Sequence, residues 1–156
     1  MKTGKIGKVT RIIALILYVV YLGFLGYLLF FADDFGRLAE GREFSYNFIP
    51  FKEILRYIIH ADAIGAGPVA VNLLGNIAAF IPMGILVPLI SPRLFGHPYR
   101  ILVMGMLNSA AIEVVQLVTR LGSCDIDDVI LNTIGVIIGY LMTVGFVHRE
   151  ETEDAA

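Results

Sequence analysis

The 156-residue chain is 57% hydrophobic and 17% charged, with a net charge of −2 at pH 7 and a mean hydropathy of +0.77. A soluble domain usually carries about 25% charged residues, so this composition excludes one, and the slight negative charge excludes nucleic acid as a partner. The single cysteine, Cys124, excludes an intrachain disulfide and a thiolate-built zinc site.

The chain opens with a basic stretch, residues 1–11. Ile12 to Ala32 then holds no charged residue and matches the roughly 20 residues that cross the hydrocarbon core. A cleaved signal peptide fits poorly, because its apolar region is only about 7–15 residues long. Phe30-Phe31-Ala32-Asp33 is also a poor small-residue cleavage site. In the polar segment that follows, Phe51, Ile54, Leu55, Ile58 and Ile59 recur at helical spacing, with Lys52, Glu53 and Arg56 on the other face. Pro50 suits a first helical turn, so Pro50 to about His60 is predicted as a short amphipathic helix. It lies on the membrane surface, packs as a lid on the bundle, or does both.

Ala63 to Pro92 is the second uncharged stretch, led in by Gly65, Gly67 and Pro68, and Pro82 and Pro88 should kink it. The third span follows Arg100 and runs to about Thr119, interrupted by Glu113. The fourth is Val129 to Val147, before an acidic tail at 148–156. The expected fold is therefore all-α: one four-span membrane domain over 12–147 with an interfacial helix between spans one and two. Positive residues favour the cytoplasmic side in short flanking segments. With a cytoplasmic N-terminus, that side holds Lys2, Lys5, Lys8, Arg11, Arg93, Arg100 and Arg149. The outer side holds Arg37, Arg42, Lys52, Arg56 and Arg120, diluted by Asp33, Asp34, Glu40, Glu43, Glu53 and Asp62. Both termini are accordingly expected inside.

Polar side chains within membrane helices are costly and point to function. Asn72 and Asn76 share a face of span two, Glu113 and Gln116 a face of span three, and Asp128 and Asn132 a face of span four. At about 1.5 Å per residue, Asn76, Glu113 and Asn132 should each lie roughly 10 Å in from the outer end of their helix. Plainer readings exist. The three asparagines can act as interhelical hydrogen-bond glue, and Asp125, Asp127 and Asp128 suit a helix start as caps or dipole partners. Glu113 has the weakest such reading, and Arg120 is its obvious counter-charge. Against Arg120, Glu113, Asp125, Asp127 and Asp128 leave net negative charge, which favours a cation, an ammonium group or shared protons. No cofactor is expected beyond a divalent cation that these acids could hold. His60 and His97 fall on opposite faces of the membrane and cannot form one metal site.

Small residues repeat at spacing four in Gly75/Ala79, Gly105/Ser109 and Gly135/Gly139, a pattern that lets helices approach closely. Asn72-Leu73-Leu74-Gly75 and Asn132-Thr133-Ile134-Gly135 also share the pattern NxxG, a short internal echo compatible with two related hairpins.

Asn47-Phe48-Ile49-Pro50-Phe51, the run from Asn72 to Gly84, Glu113-Val114-Val115-Gln116 and the run from Asp125 to Gly135 resemble the VanZ-like membrane proteins. The resemblance covers about Arg11 to Val147. It implies a bacterial multi-pass protein of the cell envelope, in a family named for a link to teicoplanin resistance, and it implies no established reaction. Two functions fit the polar cluster. One is binding of a lipid headgroup, a lipid-linked envelope precursor or a lipophilic glycopeptide by Asn72, Asn76, Glu113, Gln116, Arg120, Asp125, Asp127, Asp128 and Asn132. The other is catalysis on such a ligand at the outer leaflet, although no nucleophile-and-base pair is evident. A packing partner for another membrane protein is a third possibility.

Overall fold

A backbone in lipid must satisfy its own N–H and C=O groups, so each uncharged run folds as a long helix. The computed structural model describes residues 6–30, 45–120 and 122–153. In chain order these form α1 (Lys8–Phe30), β1 (Tyr46–Asn47), α2 (Lys52–Ile59), α3 (Ala61–Ile64), α4 (Ala66–Ile90), a 3-10 turn (Pro92–Leu94), α5 (Pro98–Thr119), β2 (Cys124–Asp125) and α6 (Ile126–Glu153). Helices α1, α4, α5 and α6 are long and apolar enough to cross a membrane. The chain is an all-α, multi-pass membrane protein with a short amphipathic helix between spans one and two.

Helix ends differ from the hydropathy boundaries. α1 starts at Lys8 and α6 at Ile126, and α6 runs past Val147 to Glu153. Charged residues outside the hydrocarbon still form helix, so hydropathy marks the lipid boundary and not the helix end. Ala32, the acidic residues Asp33, Asp34, Glu40 and Glu43, and the charges of Lys2, Lys5, Arg37 and Arg42 used in the orientation count lie outside the described residues. α4 starts where Gly65 (φ 93°) turns the chain, and it continues unbroken through Pro82 and Pro88.

α6 packs against both α4 and α5, while α1 leans on α4. α4 and α6 run parallel, and their seam is built on absent side chains. A methyl group at Gly135 would overlap the Ile77 carbonyl, one at Gly139 the Ile81 carbonyl, and one at Gly84 the Val136 carbonyl. Lipid is as apolar as the core, so close backbone approach supplies the association that hydrophobic burial supplies in water. Gly105 and the fully buried Ser109 complete the packing of α5 on α6. Gly75 does not belong to this seam, because a methyl there would meet open space. The two NxxG glycines are therefore not equivalent: Gly135 is packed and Gly75 is not. The core lies between Phe80, Met83 and Val87 of α4, Ile101 of α5 and Val136 of α6, with Leu25 of α1 against them. Tyr21 donates to the Ala79 carbonyl (2.9 Å) and Arg11 Nε to the Ile90 carbonyl (3.2 Å), fixing α1 along α4.

Candidate functional site

One end of the bundle carries nearly all the polar chemistry, because α4 and α6 begin there and α5 ends there. Thr119 and Arg120 close α5, with Arg120 exposed in a left-handed conformation (φ 57°). The chain returns through Ser123, Cys124 and Asp125, and β2 pairs in parallel with β1, Tyr46 opposite Cys124 and Asn47 opposite Asp125. Two residues per strand give a weak ladder, and side chains reinforce it. Ser45 and Ser123 share a hydroxyl hydrogen bond at 3.0 Å, and Asn47 donates to Asp125 Oδ1 at 3.0 Å.

The acids are organised by backbone donors. Asp125 is the N-cap of α6: its Oδ1 accepts the Asp127 N–H at 2.9 Å. Its own N–H donates to Glu113 Oε2, also at 2.9 Å, and Glu113 is buried. Burial pushes the Asp125 carboxyl above its ordinary value, and the hydrogen bonds from Asp127 and Asn47 only partly oppose this. Asp127, 1% exposed, caps a different helix. Its Oδ2 accepts the N–H groups of Glu53 (2.7 Å) and Ile54 (3.1 Å), and its Oδ1 accepts that of Phe51. These are donors that the start of α2 would otherwise leave unpaired, and the positive end of the α2 dipole faces the carboxylate. Phe51 itself adopts φ 65°, which is rare for a bulky residue and is braced here by Asp127.

The remaining candidates spread over three levels and do not share one depth. Asn76 donates to Asp128 Oδ1. Glu113 sits level with Asp125. Asn132 lies deeper, donating to Ser109 Oγ at 2.8 Å, with its own Oδ1 buried and unpaired. Asn72 bonds back to the Pro68 carbonyl at 2.8 Å. Asn76 and Asn132 thus make the interhelical bonds of the plainer reading, whereas Asn72 bonds within α4.

Among these groups opens a cleft of about 670 Å³. Its floor and walls include Asn72 and Leu73 of α4, Gln116 of α5, Gly122, Ser123 and Asp125 of the turn that follows, and Asp127, Asp128 and Leu131 of α6. α2 forms its roof, turning Lys52, Glu53, Arg56 and Tyr57 toward it. Arg56 pairs with Glu53 (2.6 Å) and stacks over the Tyr57 ring at 4.6 Å. The apolar face of α2 points away: Leu55, Ile58 and Ile59 are at least half exposed, and Phe48, Ile49 and Phe51 extend that surface. Asn76, Glu113, Arg120 and Asn132 do not line the cleft.

Asp127 spends both carboxylate oxygens on backbone N–H groups, and Asp125 spends one oxygen on two donors. Lys52 and Arg56 enter from a helix that sequence separation kept out of the cluster. Among the described residues, no three His, Cys, Asp or Glu side chains are placed to hold a metal ion. Asn47 and Ser45 were missed as site residues. Asn47 had one signal, its place in the Asn47–Phe51 stretch.

No curated protein and no solved structure matches the chain. A family-level profile described as VanZ/LLP1 matches residues 18–147. That match takes in the β1–α2 segment, α4, α5, β2 and the start of α6, which together build the cleft, and so the chain belongs to the VanZ/LLP1 family.

Proposed function

We propose that this protein binds the polar head of a membrane amphiphile in the cleft, with the amphiphile's apolar part remaining in the bilayer. The observation that carries this reading is the position of α2. It roofs a polar cleft with one face and offers Leu55, Ile58 and Ile59 outward with the other, as a helix lying in the membrane interface would. A ligand entering from lipid would pass beneath that roof without leaving the interface. With both termini cytoplasmic, as the positive flanks favour, the cleft opens on the outer face of a bacterial cell membrane. Lipid headgroups, lipid-linked envelope precursors and lipophilic glycopeptides all present such heads there, which connects the reading to the family's link with teicoplanin resistance.

The test is photochemical capture. A photoreactive residue at Ser123 should crosslink an amphiphile in intact bacterial membranes, and Asn72→Trp, which fills the cleft wall, should abolish the adduct. An adduct that persists in Asn72→Trp would overturn the reading. Orientation has its own test: an impermeant thiol reagent should label a cysteine at Tyr46 in intact cells and spare one at Lys8.

A further inference from the structure

Gln116 is 5% exposed, lines the cleft, and its side-chain amide has no hydrogen-bond partner among the described residues. The amide faces the open cleft, so its carbonyl acceptor and N–H donors are available to whatever the cleft holds. The amide is also held in place. A methyl at Gly122 would come within 3.0 Å of Gln116 Cδ and Nε2, so Gly122 closes over the side chain only because it has none of its own. At the roof, the Lys52 ammonium makes no ion pair or hydrogen bond among the described residues. Arg56 spends part of its donor set on Glu53 and lies at the cleft margin. The acids opposite are occupied: Asp127 by the α2 N–H groups, Asp125 by Asn47 and the Asp127 N–H, and Asp128 by Asn76.

From this division of partners we infer the class of head the cleft takes: a phosphate ester bearing an uncharged, hydroxyl- or amide-rich group. The phosphate lies under Lys52 and Arg56, and the uncharged group reaches down to Gln116 and Asn72. Ammonium and guanidinium donors form short, charge-assisted bonds to phosphate oxygens. An amide, with a carbonyl acceptor and two N–H donors, matches hydroxyls or another amide and offers nothing to a quaternary ammonium. A cationic head would have to compete with the backbone N–H groups on Asp127, with Asn47 and the Asp127 N–H on Asp125, and with Asn76 on Asp128. The assignment rests on the cleft being the binding site.

The experiment incubates the full chain, purified in detergent, with mixed vesicles of phosphatidylglycerol, phosphatidylcholine and a neutral glucosyl diacylglycerol, and counts retained lipids by native mass spectrometry. Phosphatidylglycerol should be retained roughly five-fold or more over each of the others. Lys52→Gln combined with Arg56→Gln should erase the preference over the glucosyl lipid, and Gln116→Leu should erase the preference over phosphatidylcholine. Equal retention of all three lipids, a preference for phosphatidylcholine, or preferences that survive these variants would overturn the assignment. Asn72→Trp separates this failure from that of the cleft itself. If it strips bound lipid while the three lipids compete equally, only the class is wrong. If it retains lipid like the wild type, the cleft reading is wrong too. Soluble glycerol phosphate is added last: displacement of phosphatidylglycerol supports a head that suffices alone, and no displacement supports the same head carried by a lipid.

Discussion

Asp127 and Glu53 stand 74 positions apart, yet the carboxylate of the first accepts the backbone N–H of the second at 2.7 Å. The bond makes the start of one membrane span the cap of the surface helix that roofs the cleft. A cap borrowed across the fold ties α2 to the bundle, whereas a local cap would have let it move as a separate unit.

Removing that tie should free α2 first. Asp127→Ala leaves the N–H groups of Phe51, Glu53 and Ile54 without their acceptor and should cost about 1–3 kcal/mol. Hydrogen exchange at residues 52–59 should rise well before exchange in α4 or α6. Uniform acceleration across all helices would mean that Asp127 supports the whole bundle and not α2.

Glycine substitutions should divide by position. Gly135→Ala or Gly139→Ala drives a methyl into a backbone carbonyl of α4, which cannot rotate away, and should cost roughly 1–3 kcal/mol or more. Gly75→Ala meets open space and should be neutral, or stabilising by up to about 1 kcal/mol through helix propensity. Thermal melts in detergent read both effects, and equal losses at Gly75 and Gly135 would contradict the α4–α6 seam.

Glu113 should tolerate loss of charge better than loss of its acceptor. Glu113→Gln still offers an oxygen to the Asp125 N–H and should shift stability by less than about 1 kcal/mol. Glu113→Leu orphans that buried N–H and should cost about 1–3 kcal/mol. If Gln and Leu behave alike in the melt, the hydrogen bond to Asp125 carries no weight.

Asp125 predicts a direction with pH. Its carboxyl lies above the ordinary value when folded, mainly through burial, so the folded state binds a proton more readily than the unfolded one. Stability therefore falls as pH rises from the ordinary carboxylate value through the raised one. Asp125→Asn keeps an oxygen for Asn47 and for the Asp127 N–H but cannot ionise, so the slope of its melting temperature over that acid range should be shallower. A slope unchanged by Asp125→Asn would assign the dependence to another group.

The sequence by itself determined the membrane class, the number of spans, the surface helix and the family likeness. Each is written in local runs: uncharged stretches of bilayer length, five apolar positions at helical spacing, and contiguous polar motifs. Gly135 and Gly139 were also legible as packing residues, because spacing four is a property of one helix. Their partner Gly84 was not, since only the parallel register of α4 on α6 brings it to the seam. The acids were legible as a group but not in their duties. A carboxylate beside a helix start reads as that helix's own cap, which holds for Asp125, while Asp127 serves α2 through a contact no local rule encodes. Strand β1 is two residues long and has no periodicity to read, so Asn47 entered the site only when folding set it beside Asp125. The tertiary structure likewise set Lys52 and Arg56 beside the acids, of which Asp127 has both oxygens committed to backbone hydrogens.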